Sequence, residues 1–135
     1  IQAKIGIEKL KILDELIEMK KLWWEHMRTE LDCLSHYFIF QECLKSSNPS
    51  WMGFSITLRD NVDFVWDDLL LYLSGNKVGF RKTFGCDISK PPYFGKEYRV
   101  SDGLPKSDIL LKNSIWFELS DDNEHTISTI LEFCK

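Results

Sequence analysis

The sequence predicts an α+β fold: a long N-terminal helix, an antiparallel sheet of about 4–6 strands, and a C-terminal helix packed on the sheet. Three observations carry this. In residues 8–44 the apolar side chains recur at a 3–4 spacing, through Leu10, Leu13, Ile17, Trp24, Met27, Leu31, Leu34 and Phe38. After Pro49 the period drops to 2, the side-chain repeat of a strand. Toward the end the helical period returns with Ile127, Ile130, Leu131 and Cys134. A chain of 135 residues suffices for one domain with its own core. The expected division is a helical segment at 1–47, a sheet at 48–119 with a long loop at 85–105, and a helix at 120–135.

The first helix is expected to firm up near Glu8, because Gly6 is a poor helix-interior residue. Glu8, Asp14, Glu15 and Glu18 alternate with Lys9, Lys11, Lys20 and Lys21, which suits a solvated face with i,i+4 pairing. Lys20 and Trp24 fall on the seam and spoil it for a two-stranded coiled coil. The helix therefore reads as the cover of its own domain, with 8–21 the turns freest to meet a partner. The aromatic run at 37–40 admits a break near Ser35, and Pro49 ends the segment.

Residues 51–59 alternate, with Met52, Phe54, Ile56 and Leu58 on one face and Gly53, Ser55, Thr57 and Arg59 mostly on the other. That is the pattern of a half-buried antiparallel strand. Residues 62–66 read as a short strand or loop, and 69–73 as a strongly apolar central strand. Gly75-Asn76 predicts a two-residue hairpin turn of type II′, with a return strand over 77–84. The segment 85–105 holds Pro91-Pro92-Tyr93-Phe94-Gly95 and reads as irregular, with a short strand at 97–100. Loops of that length often bind ligands. Residues 109–111 and 115–119 read as strand, joined by a bend. Ser120 and the acidic residues after it supply the start of the last helix.

The formal net charge of −4 is unevenly spread. Residues 77–112 carry 8 Lys+Arg against 4 Asp+Glu, a local excess of +4. Lys77, Arg81, Lys82, Lys90, Lys96 and Arg99 surround Tyr93, Phe94 and Tyr98 there. Basic residues interleaved with aromatics can bind single-stranded nucleic acid, although no RNP-type signature is present and the pI is about 5.4. No apolar run reaches the roughly 18 residues of a membrane span, and the lysine- and glutamate-rich start is unlike a signal peptide. Cys33, Cys43, Cys86 and Cys134 lack a disulfide-framework spacing and read as reduced thiols. Asn48-Pro49-Ser50 is no glycosylation sequon, because Pro takes the middle position. A cytoplasmic setting is expected.

Candidate chemistry is sparse. Cys33 and His36 at i, i+3, with Cys43 beyond, would be a partial zinc set, but packing explains them better. Asp60, Asp63, Asp67 and Asp68 fit no EF-hand spacing and read as a solvated turn. Cys86 has no evident histidine to activate it. Glu18-Met19-Lys20 lies in a helix, where it cannot build a nuclease metal site. No phosphate-binding, nucleophile-elbow or zinc-protease motif occurs. No catalytic residue, metal or cofactor is assigned, and the chain reads as a non-enzyme.

The expected function is therefore a non-catalytic intracellular protein-interaction domain. It would be an inhibitor or immunity-type protein, or an accessory domain of a larger assembly. Trp23, Trp24, Tyr93, Phe94 and Tyr98 would meet a protein partner, and residues 8–44 would form a homodimer. The alternatives are a nucleic-acid-binding module using 77–99 and, last, an enzyme without a recognisable motif.

Overall fold

The computed structural model describes residues 1–83 and 105–135. Two helices open the chain, α1 (Gln2–Leu10) and α2 (Leu13–Glu30), followed by a 3-10 turn at Asp32–Leu34. Then come β1 (Phe38–Phe40), β2 (Gly53–Leu58), α3 (Trp66–Gly75), β3 (Arg81–Lys82), α4 (Pro105–Asn113), β4 (Ser114–Glu118) and α5 (Asn123–Phe133). The four strands form an antiparallel sheet in the order β1-β2-β4-β3. This is the α+β class expected from the change of period.

The register puts one apolar face together. Phe38 lies opposite Leu58, Phe40 opposite Ile56, Ile56 opposite Ile115 and Phe54 opposite Phe117. Met27 and Leu31 at the end of α2, Leu34 of the 3-10 turn, Leu69 and Leu73 of α3, and Ile127 and Ile130 of α5 join them in one core cluster. At about 25 cal/mol per Å² of apolar area, this shared burial is the main term holding the helices to the sheet.

The predicted single helix over 8–44 is instead two helices, a turn and a strand. The backbone tightens at Lys11 and Ile12, whose N–H groups donate to the carbonyls of Glu8 and Lys9, each at 3.2 Å. Only the later apolar positions reach the core: Met27, Leu31, Leu34 and Phe38 are buried, while Leu10 and Leu13 are exposed. Lys20, out of place on a seam, donates from Nζ to the Leu119 carbonyl at 2.9 Å, beside the end of β4. Its ammonium also lies 5.7 Å from the Trp23 ring centroid.

The expected central strand at 69–73 is helix α3. Leu69 and Leu73, spaced i,i+4, are buried, whereas Leu71 is 71% exposed. A five-residue apolar run shows no period, and Asp67 and Asp68 in the first turn favour the helix through its dipole. The expected Gly75-Asn76 hairpin is the end of that helix. Lys77 takes φ 60°. Its N–H donates to the Ser74 carbonyl at 3.1 Å, and Val78 N–H to the Leu73 carbonyl at 2.9 Å. This is a Schellman motif with lysine in the left-handed position, sealed by buried Val78 against buried Leu73. Of the return strand expected over 77–84, residues 77–83 are described, and among them only Arg81–Lys82, at the sheet edge, is strand. Residues 109–111 lie in α4, which packs against β2 and β4. The expected strand at 115–119 and the terminal helix correspond to β4 and α5. The loop expected over 85–105, apart from its last residue, and the short strand at 97–100 lie outside the described residues.

Candidate functional site

The sheet's second face is polar and carries one large aromatic. Strand alternation turns Gly53, Ser55 and Thr57 of β2 and Ser114, Trp116 and Glu118 of β4 away from the core. Trp116 sits between Ser55 and Arg81, its cross-strand partners. Its ring leans over Gly53. A Cβ there would stand 2.4 Å from Trp116 Cε3 and 2.6 Å from the Phe117 carbonyl oxygen, so only glycine fits beneath the indole. The Arg81 guanidinium lies 5.9 Å from the Trp116 ring centroid.

Two clefts flank this ring. The larger, about 310 Å³, is lined by Phe80, Arg81, Trp116, Glu118, Asp122 and Thr126, among others. The smaller, about 200 Å³, is lined by Gln41, Met52, Ser55, Thr83 and Trp116. Ser55 holds the second cleft's geometry: its N–H donates to Gln41 Oε1 at 3.0 Å and its hydroxyl to the Ile115 carbonyl at 3.2 Å. Thr83 Oγ1 is buried there without a hydrogen-bond partner. Beyond the clefts the same face closes in a buried pair, Thr57 Oγ1 and Ser114 Oγ at 2.7 Å. An aromatic plate between an arginine, two carboxylates and several hydroxyls can stack on a ring and hydrogen-bond its substituents.

The sequence-predicted site residues are scattered. Trp24 is stacked on Trp51 and tilted against Phe54 in the domain's own packing. Trp23 also packs partly buried against the core. Lys77 caps α3, while Arg81 and Lys82 form the edge strand β3. Of the described ones, only Arg81 lines a Trp116 cleft. Tyr93, Phe94, Tyr98, Lys90, Lys96, Arg99 and Cys86 lie outside the described residues. Cys33 is exposed, with its thiol 3.8 Å from the Glu30 carbonyl, and the His36 ring lies tilted against that of Tyr37, centroids 4.0 Å apart. Sequence reasoning missed Trp116, Gly53 and Glu118. Their signal was the alternation itself, which sets Trp116 on the face of Gly53 and Ser55 rather than that of Ile115 and Phe117.

The sequence model of the DegT/DnrJ/EryC1/StrS aminotransferase family matches residues 1–131. The chain belongs to this family. It is 26% identical over 98% of its length to the lipopolysaccharide biosynthesis protein RfbH of Salmonella typhimurium. It is 28% identical over 86% of its length to a dTDP-4-dehydro-2,6-dideoxy-D-glucose 3-dehydratase of Saccharopolyspora spinosa. It spans 32% and 25% of those two relatives. Among solved structures, the E. coli GDP-4-keto-6-deoxy-D-mannose-3-dehydratase with bound hydrated PLP shares the fold. The TM-score is 0.79 at 23% identity, over 97% of this chain and 34% of that one. An aminotransferase of the family from Brucella abortus superposes with a TM-score of 0.77 at 18% identity, over 94% of this chain and 33% of that one.

Membership overturns the expected non-catalytic, inhibitor- or immunity-type interaction domain, its nucleic-acid-binding alternative and the reading as a non-enzyme. The reading placed last, an enzyme without a recognisable motif, is the direction the family points. Among the described residues no helix is long and apolar enough to cross a membrane.

The family raises the question of PLP, whose phosphate needs cations or a cluster of N–H donors and whose aldehyde commonly takes a lysine. The described residues do not fit it. No described lysine lines either Trp116 cleft. Lys11 and Lys21 pair with Glu8 and Glu18, and Lys20 is held by Leu119. In the larger cleft Glu118 and Asp122 outnumber Arg81, a balance that repels a phosphate dianion.

Proposed function

We propose that this chain is one part of a PLP-dependent enzyme that modifies a nucleotide-linked deoxysugar. In this reading the cofactor is held by residues other than those described, and the Trp116 clefts form part of the wall along which substrate lies. The observation that carries it is the family match across residues 1–131. Support comes from the two curated relatives, one named as a sugar 3-dehydratase and the other as a lipopolysaccharide biosynthesis protein. The cleft chemistry agrees: hydroxyl-rich rings suit an indole flanked by carboxylate and guanidinium groups. No step of the reaction is assigned to the described residues, because none of them forms a nucleophile–base pair in these clefts.

The test uses the complete gene product. It is expected to bind PLP and to convert a nucleotide-4-keto-6-deoxysugar, with mass spectrometry separating loss of the C3 hydroxyl from gain of an amino group. Arg81→Ala, at an exposed edge, is expected to raise KM severalfold while leaving kcat nearly unchanged. A complete product that neither binds PLP nor turns over such sugars refutes the proposal.

A further inference from the structure

The fold brings two cysteines from distant parts of the chain into one neighbourhood. Cys33 lies in the 3-10 turn after α2, exposed, beside buried Leu34. Cys134 is the C-cap of α5 and packs partly buried against the core. A line of aromatic rings joins the two places. Tyr37, whose N–H donates to the Leu34 carbonyl at 2.9 Å, has its ring centroid 5.3 Å from that of Phe64. Phe64 in turn lies 5.3 Å from Phe133, the residue before Cys134. The charges agree with this placement. Burial first, then the charges of Asp63 and Cys33, raise the Cys134 thiol, and a Coulomb interaction fades with distance. Among the described residues no group of three His, Cys, Asp or Glu could hold a metal ion. What the two thiols offer together is a bond to each other.

We propose that Cys33 and Cys134 form a reversible disulfide that pins the end of α5 to the turn after α2. The co-reactant is a small-molecule disulfide such as oxidised glutathione. The exposed Cys33 thiolate attacks one of its sulfurs and expels a glutathione thiolate. Cys134 then gives up its proton, and its sulfur attacks Cys33 Sγ, breaking the mixed disulfide and expelling the second glutathione. Two protein thiols are oxidised and one glutathione disulfide is reduced, with the two thiol protons ending on the two departing thiolates. Both cysteines stand at element ends, where the backbone adjusts most readily to the narrow geometry of a disulfide. Asp122 and Thr126, toward the other end of α5, line the larger Trp116 cleft, so the bond would hold a helix that helps shape it. The inference stands on the fold and is independent of the proposed reaction.

Oxidised glutathione, applied to the complete gene product under native conditions, tests this. Peptide mapping without reductant is expected to find Cys33 joined to Cys134, a link that dithiothreitol removes. Cys33→Ser and Cys134→Ala should each abolish it, and Cys43→Ser should keep it. Backbone hydrogen exchange at the end of α5 should slow severalfold on oxidation of the wild type and stay unchanged in Cys33→Ser. Should Cys134→Ala fail to fold, Cys33→Ser, at an exposed position, still decides. Glutathione left on Cys33 with Cys134 a free thiol overturns the proposal, as does Cys33 joined to Cys43 or Cys86. A Cys33–Cys134 link that forms only in urea overturns it too, and so does no reaction at either thiol. A link that leaves exchange in α5 unchanged overturns the pinning.

Discussion

The Trp24 indole stacks on the Trp51 indole with ring centroids 4.5 Å apart and planes 11° from parallel. The contact joins the middle of α2 to the residue that leads into β2, and Phe54 of β2 lies 5.9 Å from the Trp24 ring. Trp51→Ala should therefore loosen a helix from a strand. The expected cost is about 2–3 kcal/mol, below the ~3–5 kcal/mol of a fully buried tryptophan because Trp51 is half-buried. Urea unfolding reads it, and an unchanged midpoint would refute it. Trp24→Phe should be milder, since the Trp24 Nε1 donor is already buried without a partner.

Gly53→Ala puts a methyl 2.4 Å from Trp116 Cε3 and 2.6 Å from the Phe117 carbonyl oxygen. The ring can swing aside, but the carbonyl belongs to the β4 ladder and cannot. A loss of about 1–3 kcal/mol is expected, the range for overpacking. Adding Trp116→Ala should recover only part of it. Full recovery would mean that the ring alone, and not the strand pairing, fixes this glycine.

The pair Thr57 and Ser114 is the sheet's buried polar contact, at 2.7 Å between hydroxyls. Thr57→Val keeps the shape and strands the Ser114 hydroxyl, which is only 2% exposed. Leaving such a group unpaired costs about 1–3 kcal/mol. Thr57→Val with Ser114→Ala should be closer to wild type than Thr57→Val alone. If the two losses simply add, the hydroxyls are not coupled.

Much of this architecture was legible, and the misreadings share a cause. β2 and β4 alternate because each has one buried and one polar face, so period 2 identified them. The Leu69–Leu73 and Ile109–Leu111 runs are short and continuously apolar, and such runs do not separate helix from strand. Asp67 and Asp68 just ahead of the first run were the available helix signal. Gly75-Asn76 misled because lysine, not glycine, occupies the left-handed position two residues on. The site was half-visible: Arg81 stands out by its charge, while a lone tryptophan in a short strand does not announce which face Trp116 takes. No motif announced the family's chemistry, consistent with described residues that do not cradle its cofactor.

Arg28 and Ser35 hold the Asp32 carboxyl below the usual carboxylate range, the Arg28 hydrogen bond contributing most. Arg28 Nη1 donates to Asp32 Oδ1 at 2.6 Å, and the guanidinium also lies 4.6 Å from the Phe40 ring centroid. A depressed carboxyl stabilises the fold above its unfolded pKa, and that contribution is lost as pH falls through the folded value. Arg28→Ala should raise the Asp32 pKa toward its ordinary value in an NMR titration. It should also flatten the acid limb of the stability curve. An unmoved Asp32 titration would show that Ser35 and solvent suffice.

Cys134 at the end of α5 behaves oppositely. Burial, then the charges of Asp63 and Cys33, push its thiol up to about 11. At pH 8 its thiolate fraction is on the order of a hundredfold below that of an ordinary cysteine with a pKa near 8.5. Cys33 and Cys43 are exposed. Alkylation by iodoacetamide, resolved by peptide mass spectrometry, should therefore mark Cys33 and Cys43 before Cys134. The neutral thiol's contribution to stability is present below the unfolded pKa and fades as pH climbs toward the folded one. Labelling of Cys134 should accordingly accelerate through pH 10. Asp63→Asn, which removes the second cause and leaves the first, should speed it modestly at every pH. Labelling of Cys134 as fast as Cys33 at pH 8 would show that α5 frays at its end, exposing the thiol before its pKa matters.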